Sequence, residues 1–369
     1  MVGWLTMSAC VGQRTSGEAS GWVWWSSSRT DWNHGMLHAS CMRHASSLVA
    51  MAARATRSAS RKARVAEAVA TGPLGALSHD ELGVIFDGLA DPLQPVVAVA
   101  LSSTCLGLRT PLRAALEVLK ERHERAKALC RTLKTSCAGL RDVEVLQFED
   151  RGITTDDLAT LGMLLNKWLP RLQGIWLHRN HFGDAGMHAL CAGLGHGAAP
   201  SLCMLTLEDN WFGPTGAKAL AAALRRGAMP KLNGLNLDDN HIGNQGIAAL
   251  AAPLRKLPLL EELTLSGCRI GDDALLDHGL PAVLADVALN SLVGNLGKDD
   301  FKALKTLWLN YNKMTDAGLS RIASAIKGGA MPKLGCVDVD SNDASKEAKD
   351  DVYDALYKER PAKRRANES

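Results

Sequence analysis

From residue 140 onward the apolar positions of the chain fall into one recurring order, L-x-x-L-x-L-x-x-N-x-I/F. A glycine-containing turn and an Ala/Leu-rich stretch follow each time. The order reads as Val143-Leu146-Phe148-Ile153, Leu172-Ile175-Leu177-Asn180-Phe182, Leu202-Leu205-Leu207-Asn210-Phe212 and Leu232-Leu235-Leu237-Asn240-Ile242. Leu260-Leu263-Leu265-Cys268-Ile270, Leu304-Leu307-Leu309-Asn312-Met314 and Leu334-Val337-Val339-Asn342 continue it, with Cys268 in the asparagine place. Successive starts are mostly 28 to 30 residues apart, a period that belongs to stacked supersecondary units. One interval is longer, 44 residues from Leu260 to Leu304. Within it Leu284 to Asn290 reads as an eighth strand with its helix shortened.

The alternation inside each unit is that of a strand with one buried face: leucines point inward and the residues between them outward. The Ala/Leu stretches, with pairs such as Leu190 and Leu194 or Leu220 and Leu224, predict helices covering the other side of the leucine core. The asparagine amide is placed to satisfy backbone groups of adjacent turns that burial would otherwise leave unpaired. Gly183/Gly186, Gly213/Gly216 and Gly243/Gly246 suit a tight turn and close helix packing. No unit buries its own apolar face, so stacking supplies the stability. Strands are narrower than helices, and the stack must curve. The predicted fold is therefore α/β: a curved solenoid with parallel strands inside and helices outside. Asn210 through Leu220 and Asn240 through Leu250 carry the continuation N-x-I/F-G-x-x-G-x-x-x-L. They resemble the ribonuclease-inhibitor-like class of leucine-rich repeats. The resemblance spans about 220 residues and implies a horseshoe, without naming a ligand.

Residues 73–138 carry a different, helical pattern. Ser78-His79-Asp80-Glu81 is a capping-type start, after which Leu82, Ile85, Phe86 and Leu89 recur at helical spacing until Pro92 and Pro95. A second apolar stretch runs from Val96 to Leu106, and Thr110-Pro111 predicts a cap with proline at the first position of a long charged helix. The run from Leu77 to Pro92, with Val97 to Cys105 and Leu108-Arg109, resembles a degenerate F-box. Leu108-Arg109-Thr110 stands where members of that family usually carry a tryptophan. The resemblance implies a module that docks on the adaptor of a cullin-RING ubiquitin ligase through Leu82, Ile85, Phe86, Leu89 and Pro92, the repeats then selecting substrate. The same helices also read as a cap over the first repeat's leucines. An adaptor module leaves Leu82, Ile85 and Phe86 partly available; a cap buries them against Val143 to Phe148.

The outward strand positions define a candidate partner surface. Acidic residues recur at equivalent places (Glu149 and Asp150, Glu208 and Asp209, Asp238 and Asp239), and Asp338 closes the series. Trp176 and Trp308 fall on outward positions, where burial cannot explain them, with His178, Arg179 and Tyr311 beside the same strands. Exposed aromatic and arginine side chains dominate interface energetics, so a protein partner, basic in character, is expected on the concave face. An ordinary solvated strand face is the plainer alternative.

Composition and charge narrow the function further. A net charge of +3 over 369 residues excludes a wholesale electrostatic nucleic-acid binder. Nine cysteines without a CxxC pair point to reduced thiols and an intracellular, most simply cytoplasmic, setting. The longest apolar run, Val96 to Leu101, is far too short to span a bilayer. Residues 1–72 are rich in Arg, Ser, Ala and Trp and predict a disordered basic tail, with an organelle transit peptide as the alternative. Residues 359–369 predict a short basic end to the repeat domain of 139–358.

Catalytic motifs fail on inspection. Gly294 to Asp299 lacks a full phosphate loop, and the chain has no G-x-S-x-G, H-E-x-x-H or EF-hand pattern. His178 and His181 flank a turn without the Cys or acid that would complete a tetrahedral site. Neither enzyme chemistry, cofactor nor metal is expected. Ran GTPase-activating proteins, which resemble this chain in repeat class, supply an arginine from an early repeat. Arg151 and Arg179 are loosely placed for that role, but the end of the chain is basic where that family is acidic.

Overall fold

The computed structural model describes residues 77–103, 108, 110–271, 292–293, 296 and 300–359. The expectations for residues 1–72, for the Leu284–Asn290 strand and for the last ten residues lie outside these.

Four helices lead the chain: α1 (His79–Leu89), α2 (Val96–Ser103), α3 (Arg113–Thr132) and α4 (Cys137–Asp142). Seven short strands follow, β1 (Val145–Gln147), β2 (Gly174–Trp176), β3 (Met204–Thr206), β4 (Gly234–Asn236), β5 (Glu262–Thr264), β6 (Thr306–Trp308) and β7 (Cys336–Asp338). Helices α5 (Thr155–Leu165), α6 (Gly183–Ala192), α7 (Pro214–Arg225), α8 (Gly243–Arg255), α9 (Asp316–Lys327) and α10 (Lys346–Asp354) come after β1, β2, β3, β4, β6 and β7. The strands form one parallel sheet in sequence order. Its register aligns Leu146, Ile175, Leu205, Leu235, Leu263, Leu307 and Val337 in a single buried row. Adjacent strands sit about 4.8 Å apart and packed helices about 8–10 Å apart, so the coil bends with its sheet on the concave side.

The asparagine positions are buried and stitch successive coils together. Asn210 Nδ2 donates to the carbonyl oxygens of Leu177 and Leu207, each at 2.9 Å, while its Oδ1 accepts the Asn180 N–H at 3.0 Å. Asn180, Asn240, Asn312 and Asn342 make equivalent bonds. Cys268, in the same slot, keeps one of them, its Sγ donating to the Leu237 carbonyl at 3.2 Å. The helix glycines allow close packing: a Cβ at Gly246 would stand 3.0 Å from the Cβ of Ala217 on the preceding helix.

Two features differ from the sequence reading. The helix after Thr110-Pro111 begins two residues later, at Arg113, with buried Leu112 at its N-cap and no side-chain cap bond. Leu112 N–H bonds the Leu108 carbonyl instead, so the entry turn is inherited from the preceding segment. The long interval between Leu260 and Leu304 does not widen the sheet, because β5 pairs directly with β6. Leu292, Val293, Phe301 and Leu304 close that coil from within the main core.

The leading helices hold a small core of their own. Leu82, Ile85 and Phe86 are buried against Ala98, Leu101, Leu112 and Leu119, with Leu89 packed alongside. They face neither solvent nor Val143 to Phe148. The cap over the first coil is built instead from the far half of α3 and from α4, through Ala126, Leu129, Cys130 and Leu140. Helix α3 thus runs through both cores. Pro92 is buried at the link, its carbonyl oxygen 2.6 Å from His123 Nδ1, and Arg141 on α4 pairs with Asp91. At the other end Val352, Ala355 and Leu356 cover the last coil.

Candidate functional site

Each strand offers the concave face its first and third residues and, one step on, a fifth. The third-position row runs Gln147, Trp176, Thr206, Asn236, Thr264, Trp308 and Asp338. Trp176 and Trp308 are 37% and 36% exposed. Three strands separate them, so they stand about 19 Å apart and bracket the sheet rather than sharing a pocket. The Trp176 indole lies along the sheet toward Gly174, its Nε1 3.9 Å from where a Cβ at that glycine would be.

The fifth-position row carries Glu149, His178, Glu208 and Asp238 in successive coils. His178 Nε2 lies 3.0 Å from Glu149 Oε1, and Glu208 accepts from Asn236 Nδ2 at 3.2 Å. Asp238 is half-buried and accepts the Ser266 N–H at 2.7 Å. Burial pushes its carboxyl up to about 6; that bond opposes the rise, and the charges of Glu208 and Asp239 add to it. Asp338 Oδ1 is turned to its own chain, accepting the Asp340 N–H at 2.9 Å.

The next position has one backbone state throughout. Asp150, Arg179, Asp209, Asp239, Gly267, Tyr311 and Ser341 all have φ between 50° and 64°. Asp tolerates this left-handed region better than most residues. The recurrence of Asp150, Asp209 and Asp239 therefore has a turn-forming cause as well as a charge. What the fold does bring together is Glu208, Asp209, Asp238 and Asp239, in two neighbouring coils. Arg151, weighed with Arg179, has its guanidinium on the Thr132 carbonyl at 3.2 Å.

Sequence reasoning missed Trp211. It sits between Asn210 and Phe212 and is 57% exposed, more than either strand tryptophan. His181 of the preceding coil stacks on it, ring centroids 4.1 Å apart. The signal was one large aromatic in the variable place after the asparagine. Also unforeseen are the exposed valines of the leading helices, Val84, Val96, Val97 and Val118.

Away from the sheet, an open depression of about 480 Å³ lies among the ends of α7 and α8, lined by residues such as Leu224, Ala228, Pro230, Pro253 and Leu257. Its lining holds no carboxylate, imidazole or thiol that would serve acid–base or nucleophilic chemistry. Among the described residues no three His, Cys, Asp or Glu side chains are grouped to hold a metal, and no helix is long and apolar enough to cross a membrane.

A family model described as Leucine Rich repeat matches residues 228–251, 256–276 and 303–323. The chain is built on leucine-rich repeats, modules whose extended concave surfaces bind other macromolecules. Among solved structures, the tropomodulin C-terminal domain of Caenorhabditis elegans is similar at 11% identity, covering 66% of this chain and 98% of its own, with a TM-score of 0.29. An internalin of Listeria monocytogenes is similar at 15% identity over 51% of this chain and 54% of its own, TM-score 0.25. The yeast Rad7–Elc1 complex is similar at 13% identity, over 88% of this chain and 96% of that one, TM-score 0.20. A search of curated proteins finds no match. Nothing about ligand or activity follows from similarity this distant.

Proposed function

We propose that this chain is a protein-binding receptor, without catalytic apparatus, whose concave strand face holds a basic segment of another protein. One observation carries the reading: two tryptophans stand exposed in a single register row, with the carboxylates of Glu208, Asp209, Asp238 and Asp239 between them. Large aromatics in solvent cost solubility and contribute nothing to the core, whereas at an interface they are the residues that anchor a partner. The repeat length and outer helices favour the ribonuclease-inhibitor-like subtype.

A second element of the reading concerns α1 to α3. Their separate core and exposed Val84, Val96 and Val97 support a docking module, with a ubiquitin-ligase adaptor as its partner. Leu82, Ile85 and Phe86 then act by holding the module together rather than by contact. Without that adaptor, the receptor is a free-standing scaffold.

Affinity purification followed by mass spectrometry tests both parts. The partner captured by the parent chain should be lost from the Trp176→Ala/Trp308→Ala double variant and retained by Lys218→Ala on the helical side. An adaptor, if captured, should be lost on Val84→Asp/Val96→Asp. An unchanged partner set in the tryptophan variant sinks the receptor reading.

A further inference from the structure

Trp211 and His181 occupy the rim where the strand face turns over into the helices. Both have left-handed backbones, with φ of 60° and 54°. The equivalent residue of the first coil is Gly152, also left-handed at φ 59°. A glycine adopts that state without strain, whereas a bulky side chain there is an outlier. Four coils hold this place left-handed, at Gly152, His181, Trp211 and Arg269, and Trp211 is the bulkiest side chain among them. Burial does not offset the cost, since Trp211 is the most exposed of the described tryptophans.

The surroundings specify what such a ring would meet. Asp209 lies two residues before it, with Oδ1 3.9 Å from His181 Nδ1, and Asp239 occupies the next coil at the equivalent place. Among the described residues the cation–ring contact is that of Lys167 with Trp168, and no lysine or arginine among them covers Trp211. An exposed aromatic face with the Asp209 carboxylate on the same rim fits a planar, charged group that both stacks and donates hydrogen bonds, which is a guanidinium rather than an ammonium.

We infer that the rim formed by His181, Trp211 and Asp209 is the seat for an arginine side chain of the bound protein segment. The ring of Trp211 stacks on the guanidinium and the carboxylate of Asp209 takes its charge. This rests on the concave face being a site for a basic partner, and it adds an anchor at the rim to those of the strand tryptophans. An acidic segment or a phosphate backbone meets like charge at the same place.

The test uses the full chain and a fluorescein-labelled peptide of alternating arginine and glycine, read by fluorescence anisotropy. Counterparts with citrulline or glutamate in place of arginine serve as neutral and acidic probes. Trp211→Gly and Trp211→Asn suit the left-handed backbone, so both variants should fold, with melting temperatures equal to the parent's or higher. Each should weaken binding of the arginine peptide about tenfold, in line with loss of one stacked cation. The citrulline peptide should bind no better than background. Three results overturn the inference: unchanged affinity in both Trp211 variants, citrulline or glutamate peptides binding as tightly as arginine, or no binding of the arginine peptide. The two readings separate cleanly. Loss of binding in Trp176→Ala/Trp308→Ala but not in the Trp211 variants keeps the strand face and removes the rim. The reverse keeps the rim as an arginine seat for the peptide, while partner capture by the Trp176→Ala/Trp308→Ala variant decides the receptor reading separately.

Discussion

Asp238 lies half-buried at the end of β4, its carboxylate held by the Ser266 N–H and crowded by Glu208 and Asp239. Its carboxyl, pushed up to about 6 chiefly by burial, compares with roughly 3.9 in an unfolded chain. The folded state binds this proton more tightly than the unfolded state, so stability from this group is present in full below pH 4. It is lost as pH rises through 6. Asp238→Asn keeps an oxygen for Ser266 and removes the charge. It should stabilise the protein at pH 7 by about 1 kcal/mol, after allowance for solvent screening, and leave it unchanged at pH 4. Urea midpoints at the two pH values measure this, and equal midpoints at pH 7 contradict it. The same scale shows what sequence could not separate. Asp150, Asp209 and Asp239 read as a row of charge, but spacing alone says nothing of the left-handed backbone they share. Trp211 stood in a loop place where the pattern makes no demand, and its exposure needed coordinates.

Strand and helix were legible because their periods differ and each repeat states both. Leu235 and Leu237 alternate as a strand, and Ile247, Leu250 and Leu254 return at helical spacing a few residues later. The asparagine between them was readable as a backbone partner, and its bonds span coils rather than one turn. Asn210→Ala would leave the Asn180 N–H unpaired in a dry interior and take one of two donors from each of the Leu177 and Leu207 carbonyls, which keep the amides of Asn180 and Asn240. It should cost about 3 kcal/mol, read by chemical denaturation. A loss under 1 kcal/mol means the turns find other partners. The start of α3 was misread for a local reason. Thr-Pro is a good helix opening on its own, but Leu112 is claimed by the small core and takes the N-cap without a polar side chain.

At the scale of the molecule, two cores meet along α3, and the apolar pattern alone offers no means of dividing them. Leucine spacing is the same whether a helix covers a neighbour's repeat or packs into a bundle of its own. Leu82 and Phe86 fit both readings, and the contacts of Leu101, Leu112 and Leu119 decide for the second. The array itself was fully visible, since one template repeated along the chain fixes strand order, register and the exposed face together. That face is a continuous strand surface with polar side chains and aromatics set into it, and the account stands or falls on its being where a partner sits.

Site-directed photo-crosslinking addresses this directly. Benzoylphenylalanine placed at Thr206, in the middle of the sheet, is compared with the same probe at Lys218 on the exposed side of α7. Irradiation in the presence of the captured partner should yield an adduct from position 206 and none from 218. Adducts from 218 alone would put the partner on the helices and contradict the account.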